Sequence, residues 1–430
     1  MTTLYSDQRS SDALLAPGSA RLLGAADPSL ATHLARYGQL SPERFGELLP
    51  EVEAAGLRGR GGAGFPTAVK MAAVVRASAG RFRQEPVVVA NATEGEPASA
   101  KDRVLLRRAP HLILDGMVAA AGAVGADRAI LCVDRRDEEA LSVAHRALEE
   151  RRRRDRVRIE IAGTPSRYVV GEESALIGWL NGRPAKPTFT GYRPAERGVG
   201  GAPTLIDNAE TLAHVALIAR FGAAGYRMAG EPAEPGTALL TVRGAVDRPG
   251  VYEVPIGARL SSVVTDTGRQ PGRGVLVGGY FGTWVPVEHL FAVPLSTGGL
   301  QPLGASLGCG LVAVMADDHC PLQEVSRVLH WLAGNSAGQC GPCVNGLPAI
   351  ADAFERTVAG DRGGAAARQL DRWAPMVSGR GACKLPDGVV RFLESARRTF
   401  AGHIAQHRDR GPCRANRSSI LPTPALGGWR

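Results

Sequence analysis

The chain has 430 residues, 44% of them hydrophobic and 22% charged, which predicts a globular protein of more than one domain. No apolar run reaches the roughly 18 residues of a membrane helix and no signal-peptide pattern opens the chain, so we expect a cytoplasmic protein without direct membrane insertion. The formal net charge of +9 comes from arginine runs without a nucleic-acid motif, which indicates a solvated face and no nucleic-acid partner.

An α/β domain over residues 51–232 is the first folded unit that the sequence predicts, after a helical or irregular extension at residues 1–50. Three short apolar runs, PVVVANA, RAILCVD and RVRIEIAG, have the character of buried strands. Helical patterns lie between them, as in the charged stretch from Glu138 to Arg152. This alternation is typical of a Rossmann-like parallel sheet.

Residues 56–70, GLRGRGGAGFPTAVK, are the first ligand-binding candidate, and we call them the glycine loop. Glycine lets the backbone approach a ligand closely and point N–H groups at an anion, while Arg58, Arg60 and Lys70 add positive charge. The string matches neither the Walker loop nor the GxGxxG fingerprint. Its composition still favours a phosphate-binding loop over a flexible surface turn.

Carboxylates follow short apolar runs at three further places. Glu94 and Glu96 come after the first predicted strand, Glu172 and Glu173 follow the run RYVVG, and Asp207 precedes a predicted helix. Taken singly, each place is typical of a solvated loop or a helix cap. The carboxyl end of a parallel strand is where such folds bind ligands, so together with the glycine loop they predict one composite nucleotide site.

Lysine is rare in this chain, with four residues against 47 arginines. Lys70 ends the glycine loop, Lys101 lies in NATEGEPASAKDR after the first predicted strand, and Lys186 lies in the segment RYVVGEESALIGWLNGRPAKPTF. Where arginine supplies nearly all positive charge, a lysine is expected to mark a site that needs a compact ammonium group.

Beyond residue 232 the pattern changes. Residues 236–264 alternate, turn at Asp247-Arg248-Pro249-Gly250 and alternate again, which predicts a hairpin in a small β-rich domain at 233–300. A helical domain is expected over 301–403. Residues 404–430, rich in Pro, Gly and Ser, are expected to form a disordered basic tail.

The seven cysteines, an odd number, argue against a disulfide framework. Cys340 and Cys343 form a CxxC pair, and Cys383 follows further along. By themselves these three fit a metal site that lacks one ligand, because zinc and iron–sulfur sites normally use four. Cys132 is expected in the core, and Cys413 in the tail is expected to have no role.

Taken together, these strings resemble the NADH-binding flavoprotein subunit of respiratory complex I and its relatives in NAD-linked hydrogenases and formate dehydrogenases. The resemblance rests on the glycine loop, NATEGEPASAKDR, the GEE segment and TLIDNAETLA, and it covers roughly residues 45–400. The string GAVDRPGVYEVP resembles the family's SLBB domain. The implied fold is a Rossmann-like α/β domain that binds flavin and NADH, then an SLBB-like β-grasp domain, then a helical iron–sulfur domain.

The resemblance also implies which residues bind FMN and NADH. They are Gly59, Arg60, Gly61, Gly62, Gly64, Phe65, Lys70, Asn91, Thr93, Glu94, Glu96, Gly171, Glu172, Glu173, Lys186, Phe189, Asp207 and Asn208. Phe65 and Phe189 match aromatics that sandwich the adenine, and Glu173 is expected to select NADH over NADPH at the ribose. No acid–base triad is implied, because hydride transfer follows from positioning; Glu94 and Glu96 are the nearest catalytic candidates.

The implied function is that of an FMN-dependent NADH dehydrogenase subunit, which passes single electrons through an iron–sulfur cluster to a ferredoxin-like or other protein acceptor. Cys340, Cys343 and Cys383 match three of the four cluster ligands, but Ala337 occupies the first position. A [3Fe–4S] cluster, a [4Fe–4S] cluster with another ligand, and loss of the cluster all stay open. Candidates for another ligand are Ser336, Cys309, His319, Cys320 and His330.

Three further positions depart from the family pattern. Thr93 replaces an aspartate, Asp207 replaces an asparagine, and Ala73 replaces an aromatic residue. Aromatic stacking is worth about 0.5–1.5 kcal/mol, so the last change predicts weaker NADH binding rather than its loss. The departures also leave open a degenerate, non-catalytic scaffold or regulatory subunit that binds a nucleotide or a partner.

Overall fold

The computed structural model of the chain describes residues 20–79, 84–189, 191–265, 273–289, 293–414 and 419–430. In chain order it contains an α/β region with a parallel sheet, a strand-rich middle and a helical C-terminal region, which confirms the predicted fold class. Residues 1–19 of the predicted extension lie outside the described residues. Its remainder holds α1 (Leu30–Tyr37) and a 3-10 helix (Pro42–Glu47).

A four-stranded parallel sheet, in the order β3-β2-β1-β4, is the centre of the α/β domain. Its strands are β1 (Val87–Ala92), β2 (Arg128–Asp134), β3 (Arg158–Thr164) and β4 (Thr204–Asn208). The first three coincide with the predicted apolar runs, whose valine and isoleucine residues suit a sheet with helices packed against it. The sequence does not predict β4, because TLIDN is short and ends in two polar residues.

The helices of this domain surround the sheet and include one that is almost completely buried. They are α2 (Leu48–Ala55), α3 (Thr67–Ser78), α4 (Lys101–Arg108), α5 (Pro110–Val124), α6 (Glu138–Arg151), α7 (Glu173–Leu180) and α8 (Ala209–Arg227). The apolar α5 lies in the core, where its Asp115 forms ion pairs with Arg151 and Arg220. None of the helices in the described part of the chain has the length and apolar character needed to cross a membrane.

The carboxyl ends of β1 and β4 meet at one edge of the sheet. The two strands are paired so that Asn91 lies opposite Asn208. The segment 93–100 continues from β1, and α8 begins directly after β4. Because ligands bind at the carboxyl ends of parallel strands, the polar residues of both strands are placed for a shared site.

A five-stranded mixed sheet, in the order β10-β9-β11-β7-β8, forms the middle region. Its strands are β7 (Thr237–Gly244), β8 (Gly250–Pro255), β9 (Val275–Val277), β10 (Thr283–Val285) and β11 (Leu311–Val314), and the short pair β5 (Gly230–Glu231) and β6 (Glu234–Pro235) precedes them. The antiparallel pair β7–β8 is the predicted hairpin. The sheet includes β11, so this region continues past the predicted boundary at residue 300.

Two short helices, α9 (Leu260–Thr265) and α10 (Thr297–Leu300), accompany this sheet. The C-terminal region then consists of α11 (Pro321–Gly334), a π-helical turn (Pro342–Gly346), α12 (Leu347–Val358), α13 (Ala365–Val377), α14 (Leu385–Thr399) and α15 (Ala401–Arg410). Its core contains the fully buried Phe354 and Phe392. The other domain boundaries stay predictions.

The C-terminal segment is the part of the fold that differs most from the expectation of a disordered tail. Residues up to Arg410 continue α15, and Leu421 is fully buried. The Glu324 carboxylate of α11 accepts the Leu421 N–H at 3.2 Å, and the Trp331 indole donates to the Pro424 carbonyl at 2.8 Å. Side chains of a folded helix thus satisfy the backbone of the segment, which composition alone does not show.

Candidate functional site

The glycine loop is held in shape by its own backbone. Gly59 donates its N–H to the Phe65 carbonyl at 2.9 Å, and Arg58 Nε donates to the Gly64 carbonyl at 2.9 Å. Gly64 has φ +60°, a left-handed value that glycine adopts without strain. A Cβ at Gly61 would lie 3.3 Å from Asn208 Cβ, so the loop lies against the end of β4.

Arg60 anchors this loop to α8. Its backbone N–H donates to the Thr211 hydroxyl at 2.8 Å, and its Nη2 lies 3.3 Å from the Tyr226 hydroxyl. The residue is 8% exposed. Its charge therefore points into the protein, and the structure gives it a positioning role that the charge count of the loop does not predict.

One layer of residues lies beside the glycine loop and consists of Asn91, Thr93, Gly171 and Asn208. Asn91 Nδ2 donates to the Gly171 carbonyl at 2.8 Å, and the Thr93 hydroxyl donates to Asn91 Oδ1 at 2.8 Å. Asn208 Nδ2 donates to the Asn91 carbonyl at 3.2 Å. A Cβ at Gly171 would lie 2.9 Å from Thr93 Oγ1, so any larger residue would force Thr93 to shift. The structure thus brings four predicted site residues together.

Lys70, Glu173 and Asp207 form a charged group next to this layer. Lys70 Nζ lies 2.6 Å from Glu173 Oε1 and 3.6 Å from Asp207 Oδ1. Burial raises the pKa of Asp207 to about 6, and Lys70 partly opposes that rise. Lys70 therefore offsets part of the negative charge that Asp207 brings in place of an asparagine, a contact that the sequence does not predict.

Lys101 is the centre of a buried charge cluster that also supports Asn208. Its Nζ lies 2.8 Å from Asp102 Oδ1, 2.8 Å from Glu210 Oε2 and 3.1 Å from Asn208 Oδ1. Asp102 Oδ2 accepts from Asn208 Nδ2 at 2.7 Å. Asn208 is thus held from both ends of its amide. The scarcity of lysine signals Lys101, but nothing in the sequence assigns its partners.

Two of the predicted site carboxylates cap helices. Glu94 accepts the backbone N–H groups of Asp102 at 3.0 Å and Arg103 at 3.1 Å, at the start of α4. Glu172 accepts the N–H of Ala175 at 3.1 Å at the start of α7. A carboxylate is favourable at a helix N-terminus, so both residues have the helix-cap role that the sequence left open.

Glu96 is buried among groups that the sequence does not associate with it. Its Oε2 accepts the Tyr280 N–H at 2.7 Å and the Tyr168 hydroxyl at 3.2 Å. Burial raises the pKa of Glu96 to about 7, although these hydrogen bonds oppose the rise. Glu96 therefore connects the segment after β1 to the strand-rich region and changes charge near neutral pH.

We expect Glu96→Gln to change how stability depends on pH. A folded-state pKa of about 7 exceeds the unfolded value of 4.5, so the native state binds more protons in this window and the parent loses stability as pH rises. Glutamine does not ionise, so the Glu96→Gln variant does not lose stability in this way as pH rises. The free energy of unfolding of the variant, relative to the parent, should rise by about 3 kcal/mol from pH 4.5 to 8.

Urea unfolding at a series of pH values measures this effect. Glu85→Gln, which alters an exposed carboxylate, is the matched control and should leave the curve unchanged. Parallel curves for the parent and Glu96→Gln would contradict the prediction.

The predicted adenine residues lie at the surface. Phe65 is 41% exposed and Phe189 is 89% exposed. Lys186 Nζ donates to the Ala337 carbonyl at 3.1 Å and lies 5.3 Å from the centre of the Trp429 ring. The described contacts of Lys186 thus connect it to the loop before Cys340 and to the C-terminal segment. Its predicted nucleotide role, like that of Glu173 at the ribose, stays a prediction.

The π-helical turn contains Cys343, and Cys340 and Cys383 lie near enough to influence its thiol. Burial raises the pKa of Cys343 to about 12, and the neighbouring Cys340 and Cys383 thiols add to the rise. The Gly338 N–H points to the Cys343 thiol and opposes the rise in pKa. Ala337 is 6% exposed and directly precedes Gly338, so the position that lacks a cysteine lies at the same place. All seven cysteines are free.

The five candidates for another cluster ligand have different surroundings. The Ser336 hydroxyl donates to the Cys343 carbonyl at 3.5 Å, so this residue adjoins the three cysteines. Within the described residues the other four contact groups outside that set: Cys309 contacts Gly278, His319 contacts Asp318, Cys320 contacts His403 and His330 contacts Glu355.

The residues present fit a flavin nucleotide and three thiolates of an iron–sulfur cluster. Asp207 Oδ2 and Thr188 Oγ1 are buried without a hydrogen-bond partner among the described residues, as expected of groups that bind a ligand. A cleft open to solvent is lined by residues of the glycine loop together with Lys101, Glu210 and Gly308. We take the glycine loop and the adjoining layer of Asn91, Gly171 and Asn208 as the candidate site.

Two family models match the chain. The Nuo51 FMN-binding domain matches residues 52–217, and the iron–sulfur binding region of NADH-ubiquinone oxidoreductase-F matches residues 323–407. An NADH-quinone oxidoreductase F subunit of Rhizobium meliloti (strain 1021) is 31% identical over 87% of this chain and 91% of its own length. The corresponding F subunit of Escherichia coli (strain K12) is also 31% identical, over 84% of this chain and 83% of its own length.

A solved structure is also similar to this chain. The NAD⁺-reducing [NiFe]-hydrogenase in its H₂-reduced state matches with a TM-score of 0.76 and 33% identity over 89% of this chain. The chain spans 64% of the matching hydrogenase chain. The air-oxidised state of that enzyme matches with a TM-score of 0.74. These comparisons confirm the resemblance that the motifs indicate.

Proposed function

Since the chain belongs to the family of the NADH-quinone oxidoreductase F subunits, we propose that it is the NADH-oxidising FMN subunit of a larger redox complex. Its substrate is NADH, and its cofactors are FMN and an iron–sulfur cluster. The observation that carries the proposal is the meeting of the glycine loop, Asn91, Gly171 and Asn208 at the carboxyl edge of the parallel sheet.

The chain's own residues position the reactants. Asn91 and Asn208 are locked by hydrogen bonds to backbone and to Asp102, which preorganises the site before a ligand arrives. Lys70 pairs with both Glu173 and Asp207 and so offsets one of the two negative charges beside the nucleotide. FMN, when bound, supplies the chemistry that accepts a hydride and releases electrons one at a time.

Gly171→Ala should weaken FMN binding. The added Cβ would press on Thr93 Oγ1 at 2.9 Å and displace the Asn91 layer. Overpacking of this kind costs about 1–3 kcal/mol, and each 1.4 kcal/mol is roughly tenfold in affinity. The flavin bound per purified chain and the FMN dissociation constant measure the effect.

Gly46→Ala is the matched control, because a Cβ there meets no atom within 4 Å. Equal FMN affinity in both variants would show that this layer does not contact the flavin.

Reduction of an artificial dye by NADH tests the activity itself. The purified protein should be yellow and should reduce the dye only with NADH and bound FMN. A colourless protein that FMN does not reconstitute would end the proposal.

A non-catalytic scaffold or regulatory subunit is the second candidate. It is favoured by one observation, namely that the Glu94 oxygens are occupied by the helix cap of α4. NADH-driven dye reduction by the purified protein would exclude it.

For the electron acceptor, we propose a ferredoxin-like or other protein subunit in the cytoplasm. The cysteine set provides the route, since a cluster at Cys340, Cys343 and Cys383 carries single electrons. NADH-dependent reduction of a purified ferredoxin, followed by its absorbance, tests this. No reduction above the rate without the protein would contradict a ferredoxin-like acceptor.

A further inference from the structure

Four side chains with metal-binding atoms converge at the C-terminal end of the fold. They are Cys320, His403, His407 and Cys413, and one ligand atom of each lies within 4.8 Å of all the others. Cys320 precedes α11, both histidines lie on α15, and Cys413 follows the end of α15. None belongs to the predicted flavin or iron–sulfur residues, although Cys320 was a candidate for another cluster ligand.

The separations are those of a tetrahedral zinc site. Zn–S bonds of about 2.3 Å and Zn–N bonds of about 2.0–2.1 Å at the tetrahedral angle place a sulfur and a nitrogen about 3.6 Å apart. Cys320 Sγ lies 3.6 Å from the Nε2 atoms of both His403 and His407. Cys413 Sγ lies 3.4 Å from His403 Nε2. Three sulfur–nitrogen pairs therefore have the spacing that one bound ion would impose.

The local structure explains why both histidines present Nε2. His403 and His407 are four residues apart on α15, so their side chains lie on the same face of the helix. His407 Nδ1 lies 2.7 Å from the Val358 carbonyl, which holds the proton on Nδ1 and keeps a lone pair on Nε2. That lone pair accepts the Cys413 N–H at 3.2 Å, a contact that a bound metal would replace. Such a second contact is the usual partner of a metal-binding histidine.

His403 requires one adjustment when a metal binds. Its Nδ1 lies 2.7 Å from Arg273 Nη1, and a histidine bound through Nε2 would carry its proton on Nδ1. Arg273 is exposed, so its side chain can turn into solvent. The adjustment at His403 therefore involves one surface side chain, while at His407 the Cys413 N–H would have to release Nε2.

We propose that Cys320, His403, His407 and Cys413 bind a structural zinc ion. Two thiolates and two imidazoles fill all four positions, and a closed four-coordinate site is typical of structural rather than catalytic zinc. The ion would fasten α15 and the segment after it to the start of α11. Cys413, which the sequence assigns to a tail without a role, would be a ligand.

Zinc analysis of the purified holoprotein tests the proposal. We expect about one zinc per chain in the parent and a loss of at least tenfold in Cys413→Ser. Cys413 lies outside every helix, so this change removes one ligand without altering a core element. Cys413→His keeps four ligands and should retain the zinc. His330→Ala removes an exposed histidine of a separate group, His330, Asp352 and Glu355, and should also retain it.

X-ray absorption at the zinc edge identifies the ligands without interference from flavin. We expect two sulfur neighbours at about 2.3 Å and two nitrogen neighbours at about 2.0–2.1 Å. Four sulfur neighbours, or zinc that is lost in Cys340→Ser/Cys383→Ser and kept in Cys413→Ser, would assign the ion to the other cysteines and overturn the proposal. A parent without zinc in which Cys320 and Cys413 form a disulfide would overturn it as well.

Discussion

Lys101→Met should destabilise the protein by about 3–5 kcal/mol, because it leaves buried carboxylates without their cation. The Lys101 ammonium lies 2.8 Å from both Asp102 and Glu210, and the three side chains are only 1–6% exposed. Burial opposes ionisation of Glu210, yet Lys101 lowers the pKa of that carboxyl well below its usual range. Replacement of the lysine therefore removes the cation that offsets one of the two buried negative charges.

The loss should depend on pH in a direction that identifies its cause. Without Lys101, burial would raise the folded-state pKa of Glu210 above its unfolded value. The variant would then bind more protons when folded, so its deficit should shrink as pH falls and grow as pH rises. Urea unfolding at pH 5 and pH 8, followed by tryptophan fluorescence, measures both the loss of unfolding free energy in the variant and how that loss changes with pH.

Lys384→Met is the matched control. Lys384 lies 3.2 Å from Asp387, but its side chain is 87% exposed, and an exposed ion pair contributes little. A Lys101→Met variant that unfolds at the same urea concentration as Lys384→Met would refute the role of the buried cluster. If the variant is less stable than the parent by the same amount at both pH values, lost packing rather than lost charge would be the cause.

The second prediction with a large effect concerns the iron content that the cysteines of the iron–sulfur segment support. Cys383→Ser should lower iron and acid-labile sulfide to background, because a cluster that already lacks the ligand at Ala337 would keep only two cysteines. Reduction of a one-electron protein acceptor should stop with it. Dye reduction by NADH should continue, since it depends on the flavin site.

Ala337→Cys is the reciprocal change. Gly338 points its N–H at the Cys343 thiol, so a cysteine at 337 would lie where the family has its first ligand. Iron should rise to about four atoms per chain, the content of a [4Fe–4S] cluster. Paramagnetic resonance of oxidised and reduced protein distinguishes three-iron from four-iron forms.

Cys132→Ala, in the core of the parallel sheet, is the control for removal of a thiol and should keep the parent's iron content. Unchanged iron in Cys383→Ser would show that this cysteine is not a ligand. Absence of iron from both the parent and Ala337→Cys would mean that the family's cluster is lost here.

The sequence predicts much of the fold because the physical signals are local. Valine- and isoleucine-rich runs predict β1, β2 and β3, and the turn at 247–250 predicts the hairpin of β7 and β8. Prediction from the sequence misses β4, because the burial of this strand depends on its neighbour β1 rather than on its own residue pattern. It also fails for residues 419–430, which are ordered by donors and acceptors on α11 that lie far away in the chain.

For the site, the sequence alone determined which residue types are present: the glycine loop, the paired carboxylates, the scarce lysines and three of four cluster cysteines. Only the tertiary structure decided their partners. It placed Asp207 against Lys70, used Glu94 and Glu172 as helix caps, and brought Cys413 to Cys320. The reason is that charge compensation and metal binding need atoms within a few ångströms, a distance that chain folding sets and residue order does not.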